Sequence, residues 1–220
     1  MNSPILQLLV LAGIAVFLIL RLRSVLGTRD GHEPSAEVAK AQSKANNPRL
    51  HKLEVIEGGP DRDITDHVPE DSESAAALAE MKRAEPSFGV GDFLSGARGA
   101  YEMILMAFER GELEEVRDFL SEDVYGSFAE VVAIREEKGL TIEAEFIGIR
   151  DMTLANANFE NSVAEITVKF VGELVSVVRS PDGEIVEGEP GKAKRQRDVW
   201  TFERIMGADD PNWRLVATGE

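Results

Sequence analysis

Few side chains in this chain can do chemistry, and their scarcity narrows the options. There is no cysteine, and the histidines number three: His32, His51 and His67. All three fall in a polar stretch near the N-terminus, so the periodic region that follows holds neither imidazole nor thiol. The lack of cysteine removes disulfides, thiolate zinc sites and cysteine nucleophiles, and it agrees with a reducing compartment. A general base would have to be a carboxylate, Asp151 or Asp198, with Tyr101 or Tyr125 as the polarising donor. No spacing singles out such a pair, and no activated nucleophile or ligand set marks a metal or cofactor site. A non-catalytic protein with no cofactor is the expectation.

The remaining candidates are for contact. Lys192-Ala-Lys-Arg-Gln-Arg197 puts four positive charges in six positions. The chain as a whole carries −16, divided as +2 over residues 1–26, −5 over 27–85 and −13 over 86–220. A protein that tracks phosphates needs a basic face to release counterions, so nucleic acid is a poor partner. Lys192, Lys194, Arg195 and Arg197 are instead candidates to touch anionic headgroups, at about 1 kcal/mol each, or a protein partner. A solvated hairpin loop accounts for them equally well.

The elements that carry these residues follow from periodicity and composition. Ile5 to Leu20 is apolar except for Gln7 and runs into Arg21 and Arg23. With Leu22, Val25 and Leu26 it reaches a hydrocarbon core of about 30 Å if the arginines snorkel. Both charges follow the apolar run, unlike those of a cleaved signal, so residues 1–26 are expected to stay as a transmembrane anchor. Arg21, Arg23 and Arg29 put the N-terminus outside and the rest of the chain in the cytoplasm. Residues 27–71 read as an acidic flexible tether, spaced by glycine and proline and poor in large apolar side chains. Leu50-His-Lys-Leu-Glu-Val-Ile56 is an apolar island within it.

Residues 72–220 read as one domain. Ser72 is an N-cap for a helix over Glu73 to Arg83, closed by Pro86. A second helix from Asp92 repeats Phe93, Ala97, Tyr101, Ile104 and Phe108 on one stripe and stops before Gly111. A third carries Leu113, Val116, Phe119 and Leu120. A fourth spans Asp123 to Lys138, with Val124, Phe128, Val131 and Val132 inward and Gly139 as its left-handed stop. Strands follow at Ile142–Arg150, Thr153–Phe159, Val163–Val178, Glu184–Glu187, Arg197–Arg204 and Trp213–Thr218. Even residues of the long one face inward until Gly172, where a bulge or bend is expected to move the apolar set to Val175 and Val177. Helices followed by an antiparallel meander give an α+β fold in which a curved sheet wraps a helix.

Five segments in this order, Phe93-Leu-Ser-Gly-Ala-Arg-Gly-Ala-Tyr101, Ala107-Phe-Glu-Arg-Gly-Glu-Leu113, Ala164-Glu-Ile-Thr-Val-Lys-Phe170, Asp198-Val-Trp-Thr-Phe202 and Asp210-Pro-Asn-Trp-Arg-Leu215, resemble the Tim44-like domain family. The resemblance covers about residues 74–220. It implies a cystatin-like cone, also called nuclear-transport-factor-two-like, with an apolar pocket between sheet and helices. It also implies kinship with scaffolds of the mitochondrial import motor, which hold a chaperone at the inner membrane and touch cardiolipin. An N-terminal span in place of an Arg-rich transit peptide makes this chain look like a bacterial inner-membrane relative.

On that basis the expected activity is a membrane-anchored interaction domain that binds a protein partner, a chaperone or a membrane complex, and lipid. The candidates to line its pocket are Tyr101, Ile104, Phe128, Phe146, Val168, Phe170, Trp200 and Phe202, each of which core packing explains as well. The alternatives are a small-molecule isomerase, dehydratase or hydrolase using the same pocket, and a purely structural subunit of a membrane complex.

Overall fold

A computed structural model describes residues 59–219. The expected anchor, residues 1–26, and the first part of the expected tether lie outside the described residues. Among the described residues no helix is long and apolar enough to cross a membrane.

The helices come first. A short turn, α1 (Arg62–Thr65), leads to α2 (Glu73–Ala84), and α3 (Val90–Arg110) is the longest helix. A 3-10 helix (Leu113–Phe119) and α4 (Glu122–Glu137) follow. Ser72 caps α2 as expected, its hydroxyl accepting from the Ala75 amide, and Ser121 caps α4 in the same way. Gly139 ends α4 with φ of 63°, a conformation that costs glycine nothing. The stripe on α3 is buried as its spacing demands, with Val90, Tyr101 and Ile104 wholly inaccessible. Each large side chain buried this way contributes about 1.5–3 kcal/mol.

Five strands make one antiparallel sheet: β1 (Thr141–Glu160), β2 (Val163–Arg179), β3 (Ile185–Gly188), β4 (Lys194–Ile205) and β5 (Arg214–Gly219). The order is β1-β2-β4-β5, with β3 pairing β2 beyond the start of β4. The inner faces of β2 and β4 bear on α3 through Ile166, Val168, Phe170, Trp200 and Phe202.

Four expectations need correction. First, the two strands read at Ile142–Arg150 and Thr153–Phe159 are one, β1, with register shifts at Phe146/Gly148, Ile149/Asp151 and Leu154/Asn156. Each bulge adds a residue and resets the alternation, so the sequence looks broken where the strand is only bent. The Leu154/Asn156 bulge is stitched to α2, because the buried Ser74 hydroxyl accepts from the Ala157 amide at 3.0 Å and donates to Asn156 Oδ1 at 3.2 Å. Second, the irregularity near Gly172 lies in β1 opposite it rather than in β2, whose register with β4 is unbroken from Val163 to Leu174; the buried set of β2 does move to odd positions, but only after Leu174, at Val177. Third, Val131 does not face inward on α4 but is 39% exposed, because α4 packs on the 3-10 helix and β5 rather than across the sheet.

The fourth concerns the boundary of the folded unit, which takes in residues that read as tether. Ile64 and Val68 are buried in the main core. Helix α3 begins at Gly89, which offers no side-chain cap. The missing acceptor comes from upstream, since the Asp63 carboxylate accepts from the Val90 and Gly91 amides at 2.8 and 2.9 Å. Lys82 Nζ closes the cluster at 2.7 Å from both Asp61 and Asp63. Charge and dipole both favour an anion at a helix N-terminus. Burial opposes ionisation of Asp63, but the Lys82 ammonium and the two amides outweigh it and bring the carboxyl down to about 2.

A depressed carboxylate adds stability that is complete above its unfolded value near 4 and is lost as pH falls through its folded value. Asp63→Asn should therefore cost about 1–2 kcal/mol at neutral pH, discounted for the partial exposure of the side chain. The variant should also lose less stability than wild type between pH 4 and pH 2. Urea unfolding at the three pH values checks this, and equal acid sensitivity in both proteins would contradict it.

Candidate functional site

Helix α3 lies close against β2 and β4 at Tyr101. The ring stacks on Phe170 at 4.4 Å and meets Trp200 at 4.8 Å and Phe146 at 6.1 Å. Its hydroxyl donates to Asp198 Oδ2 at 2.5 Å. Gln196 Nε2 donates to both, at 3.2 Å to the hydroxyl and 2.9 Å to the carboxylate. Burial, then the Asp198 carboxylate, push the phenol well above its ordinary value. Gly172 makes the approach possible, since a Cβ there would lie 2.6 Å from the Tyr101 hydroxyl oxygen.

This pairing unites two of the four residues named as candidate acid–base groups. Its chemistry is that of a structural clamp, because the phenol is held protonated and its hydrogen bonds are spent within the protein. Asp151 is exposed on β1 opposite Val171, away from any phenol partner. Tyr125 donates to Glu114 at 2.5 Å, with the Arg117 guanidinium 4.1 Å from its ring centre. Among the described residues no group of three or more His, Asp or Glu is arranged to hold a metal ion.

The residues expected to line a pocket are packed on one another. Tyr101, Ile104, Val168, Phe170, Trp200 and Phe202 are buried in the core. Phe146 is half-buried against Tyr101, and Phe128 is half-buried on Phe108 at 4.7 Å. An open groove of about 340 Å³ lies instead toward the N-terminal half of α3, lined by Phe88, Phe93, Ala97, Phe119, Phe202 and Trp213 among others. Phe93 joins its parts, 4.7 Å from Trp213 and 6.0 Å from Phe202. Of the expected set only Phe202 reaches it. A second hollow of about 330 Å³ lies between Glu73, Glu80, Asn156 and Asn158.

One wall of the groove is held by charge. Arg204 Nη2 meets Glu85 at 2.5 Å, Nη1 donates to the Pro211 carbonyl at 3.1 Å, and the guanidinium stands 5.4 Å from the centre of Trp213. Glu85 also accepts from the Gly207 amide at 3.0 Å. That amide, and then Arg204, hold the Glu85 carboxyl below the usual carboxylate range. Arg204 thereby fixes the loop that presents Trp213. The sequence offers no periodic signal for this wall, whose parts lie far apart in the chain.

Lys192, Lys194, Arg195 and Arg197 are all exposed. Three of them face carboxylates: Lys192 meets Glu189 at 2.7 Å, Lys194 meets Glu187 at 3.9 Å and Arg195 meets Glu173 at 3.1 Å. Glu173 also takes Arg150 at 2.7 Å.

Fold and site together define a helix-on-sheet α+β domain with an interlocked interior and an aromatic groove on its surface. The chain belongs to the Tim44-like domain family, whose model matches residues 74–220. Human TIM44, a mitochondrial import inner membrane translocase subunit, is 30% identical over 148 residues, covering 66% of this chain and 33% of its own length. The Arabidopsis thaliana subunit TIM44-1 is 21% identical over 189 residues, covering 83% of this chain and 38% of its own. The match thus spans between a third and two fifths of those relatives. The intermembrane space region of chloroplast protein ARC6 overlaps 57% of this chain and 94% of its own at 10% identity, with a TM-score of 0.39.

The clamp makes a quantitative prediction. Gly172→Ala should destabilise the domain by about 1–3 kcal/mol through overpacking, and Tyr101→Phe by about 1–2 kcal/mol through the lost hydrogen bond. The double variant should cost less than their sum, since the phenylalanine removes the nearest of the atoms the methyl group meets. Chemical denaturation of the four proteins checks it, and strict additivity would contradict it.

Proposed function

We propose that this protein is a non-catalytic scaffold of the bacterial inner membrane, anchored through residues 1–26 with its Tim44-like domain on the cytoplasmic side. The domain holds a protein partner of the membrane, and the partner's apolar segment or a lipid acyl chain occupies the groove. The observation that carries the reading is the groove itself: about 340 Å³ of open, aromatic-walled space on a domain whose interior is filled by its own side chains. Water in such a space is displaced at a gain by apolar surface, and aromatic walls are common in recognition sites. Kinship supports the scaffold part, since the related human and Arabidopsis thaliana proteins are subunits of an import translocase.

An enzymatic use of the groove has less to draw on. Its titratable lining is Glu85, Asp92 and Arg204; Glu85 and Arg204 are paired with each other and position a loop, and Asp92 stands in the first turn of α3 with no histidine or tyrosine beside it in the groove. The electrostatics of the groove therefore fix shape rather than poise a base.

Photocrosslinking in cells tests the reading. A benzophenone amino acid in place of Phe119 in the full chain should give a discrete adduct with one protein or with lipid. Narrowing the groove by Gly96→Leu, where an added Cβ meets nothing within 4 Å, should abolish it. Membrane fractionation and folding should be unchanged in this variant. An adduct that persists after narrowing, or none at all in wild type, would overturn the groove as the binding surface.

A further inference from the structure

Strand β4 has two edges, and they are not equally used. One edge pairs with β2 over the whole strand, from Ile205 opposite Val163 to Lys194 opposite Leu174. The other pairs with β5 only from Glu203 to Val199. Among the described residues, nothing pairs the outer edge of Lys194–Asp198. Strand β3 lies beside β2 just beyond, with Ile185 and Val186 exposed at 44% and 54%. The free edge is therefore extended, in line with β5, and carries unpaired backbone donors and acceptors.

The basic run lies on this edge. Basic side chains on an open edge repel a second copy of the same edge, which is how natural sheets prevent self-pairing. Among the described residues Arg197 has no ion pair, and the exposed Lys194 and Arg195, which face Glu187 at 3.9 Å and Glu173 at 3.1 Å, can exchange those partners, so the edge invites a strand of opposite sign. We infer that Lys194–Asp198 is a strand-addition site for an extended acidic segment of a protein partner, laid antiparallel to β4 as a continuation of β5. This deepens the scaffold reading and rests on it for the kind of partner.

Two observations favour a strand over a membrane surface. Successive side chains of a strand point to opposite faces, so Arg195 and Arg197 share one face and Lys194 takes the other. A flat bilayer meets one face, whereas an added strand has side chains on both, with alternate acids beside Arg195 and Arg197 and an intervening one beside Lys194. Glu184, Glu187 and Glu189 on the same hairpin also repel an anionic surface, while a single narrow strand passes beside them. The domain around the edge is strongly acidic, so the run is its local exception.

The test uses the full chain and a fluorescent synthetic peptide of alternating Glu and Val. The peptide should bind, its affinity should fall with salt, and Arg195→Glu with Arg197→Glu should weaken it by about tenfold or more. Register gives the second readout, because the chain has no cysteine of its own. Single cysteines at Arg195, Gln196 and Arg197 should trap a cysteine-bearing form of the peptide in an alternating pattern, with 195 and 197 behaving alike and 196 differently. Affinity unchanged by the charge reversal, trapping without alternation, or loss of peptide binding when the full chain is reconstituted in phosphatidylglycerol rather than phosphatidylcholine vesicles would each overturn the proposal. The groove adduct from position 119 distinguishes the two readings: if it survives while peptide binding fails, the scaffold stands and the edge site falls.

Discussion

The approach of Tyr101 to the backbone of β2 is the constraint on which the rest of the structure depends. A helix and a sheet pack through side chains that hold them apart, and here one residue without a side chain lets a phenol reach through. The hydroxyl sits 2.6 Å from where a Cβ on residue 172 would be, and it is held by Asp198 and Gln196 from β4. One contact thus ties α3 to two adjacent strands. A buried phenol without partners costs several kcal/mol, so once Tyr101 is inside, the positions opposite it must be polar. The Gln196 and Asp198 pair on the inner face of β4 follows from that need rather than from catalysis.

This arrangement decides where a ligand can go. With Tyr101, Phe170 and Trp200 in mutual contact, the centre of the domain is occupied by its own aromatic rings. In the function proposed above, recognition falls to the surface, to the groove at one part of α3 and to the unpaired edge of β4. The two surfaces differ in chemistry, one apolar and aromatic, the other basic and rich in free backbone groups. A scaffold that grips a partner at an apolar segment and at an extended acidic one gains specificity from the combination, since few segments satisfy both.

Much of the framework was legible because it is local. Ser72 and Gly139 are read from position, the α3 stripe from its spacing, and the inward face of β2 from alternation through Phe170. What escaped is contact between residues far apart in the chain. Asp63 caps a helix whose first residue is 27 positions away, so an acidic patch that looks solvated is in fact pinned. Glu85 holds the amide of Gly207 across 122 positions, and no periodicity reports it. Gly172 reads only as a bend because glycine in a strand often marks one, and the close approach of Tyr101 that it also permits has no signal in the alternation. The apolar residues chosen for a pocket are the ones most strongly periodic, and strong periodicity selects core. Groove residues such as Phe88 and Trp213 sit at element ends, where pattern is weakest.

The clamp can be read directly from the ionisation of its phenol. The chain has two tyrosines, so in a Tyr125→Phe background the absorbance of tyrosinate near 295 nm reports Tyr101 alone. An ordinary tyrosine ionises near pH 10. With the ring buried and its hydroxyl donated to Asp198, no tyrosinate signal should develop through that range while circular dichroism shows the fold intact, and the signal should rise only together with alkaline unfolding. A reversible ionisation near pH 10 in the folded protein would contradict the account, because it would mean that Tyr101 is not locked between the helix and the sheet.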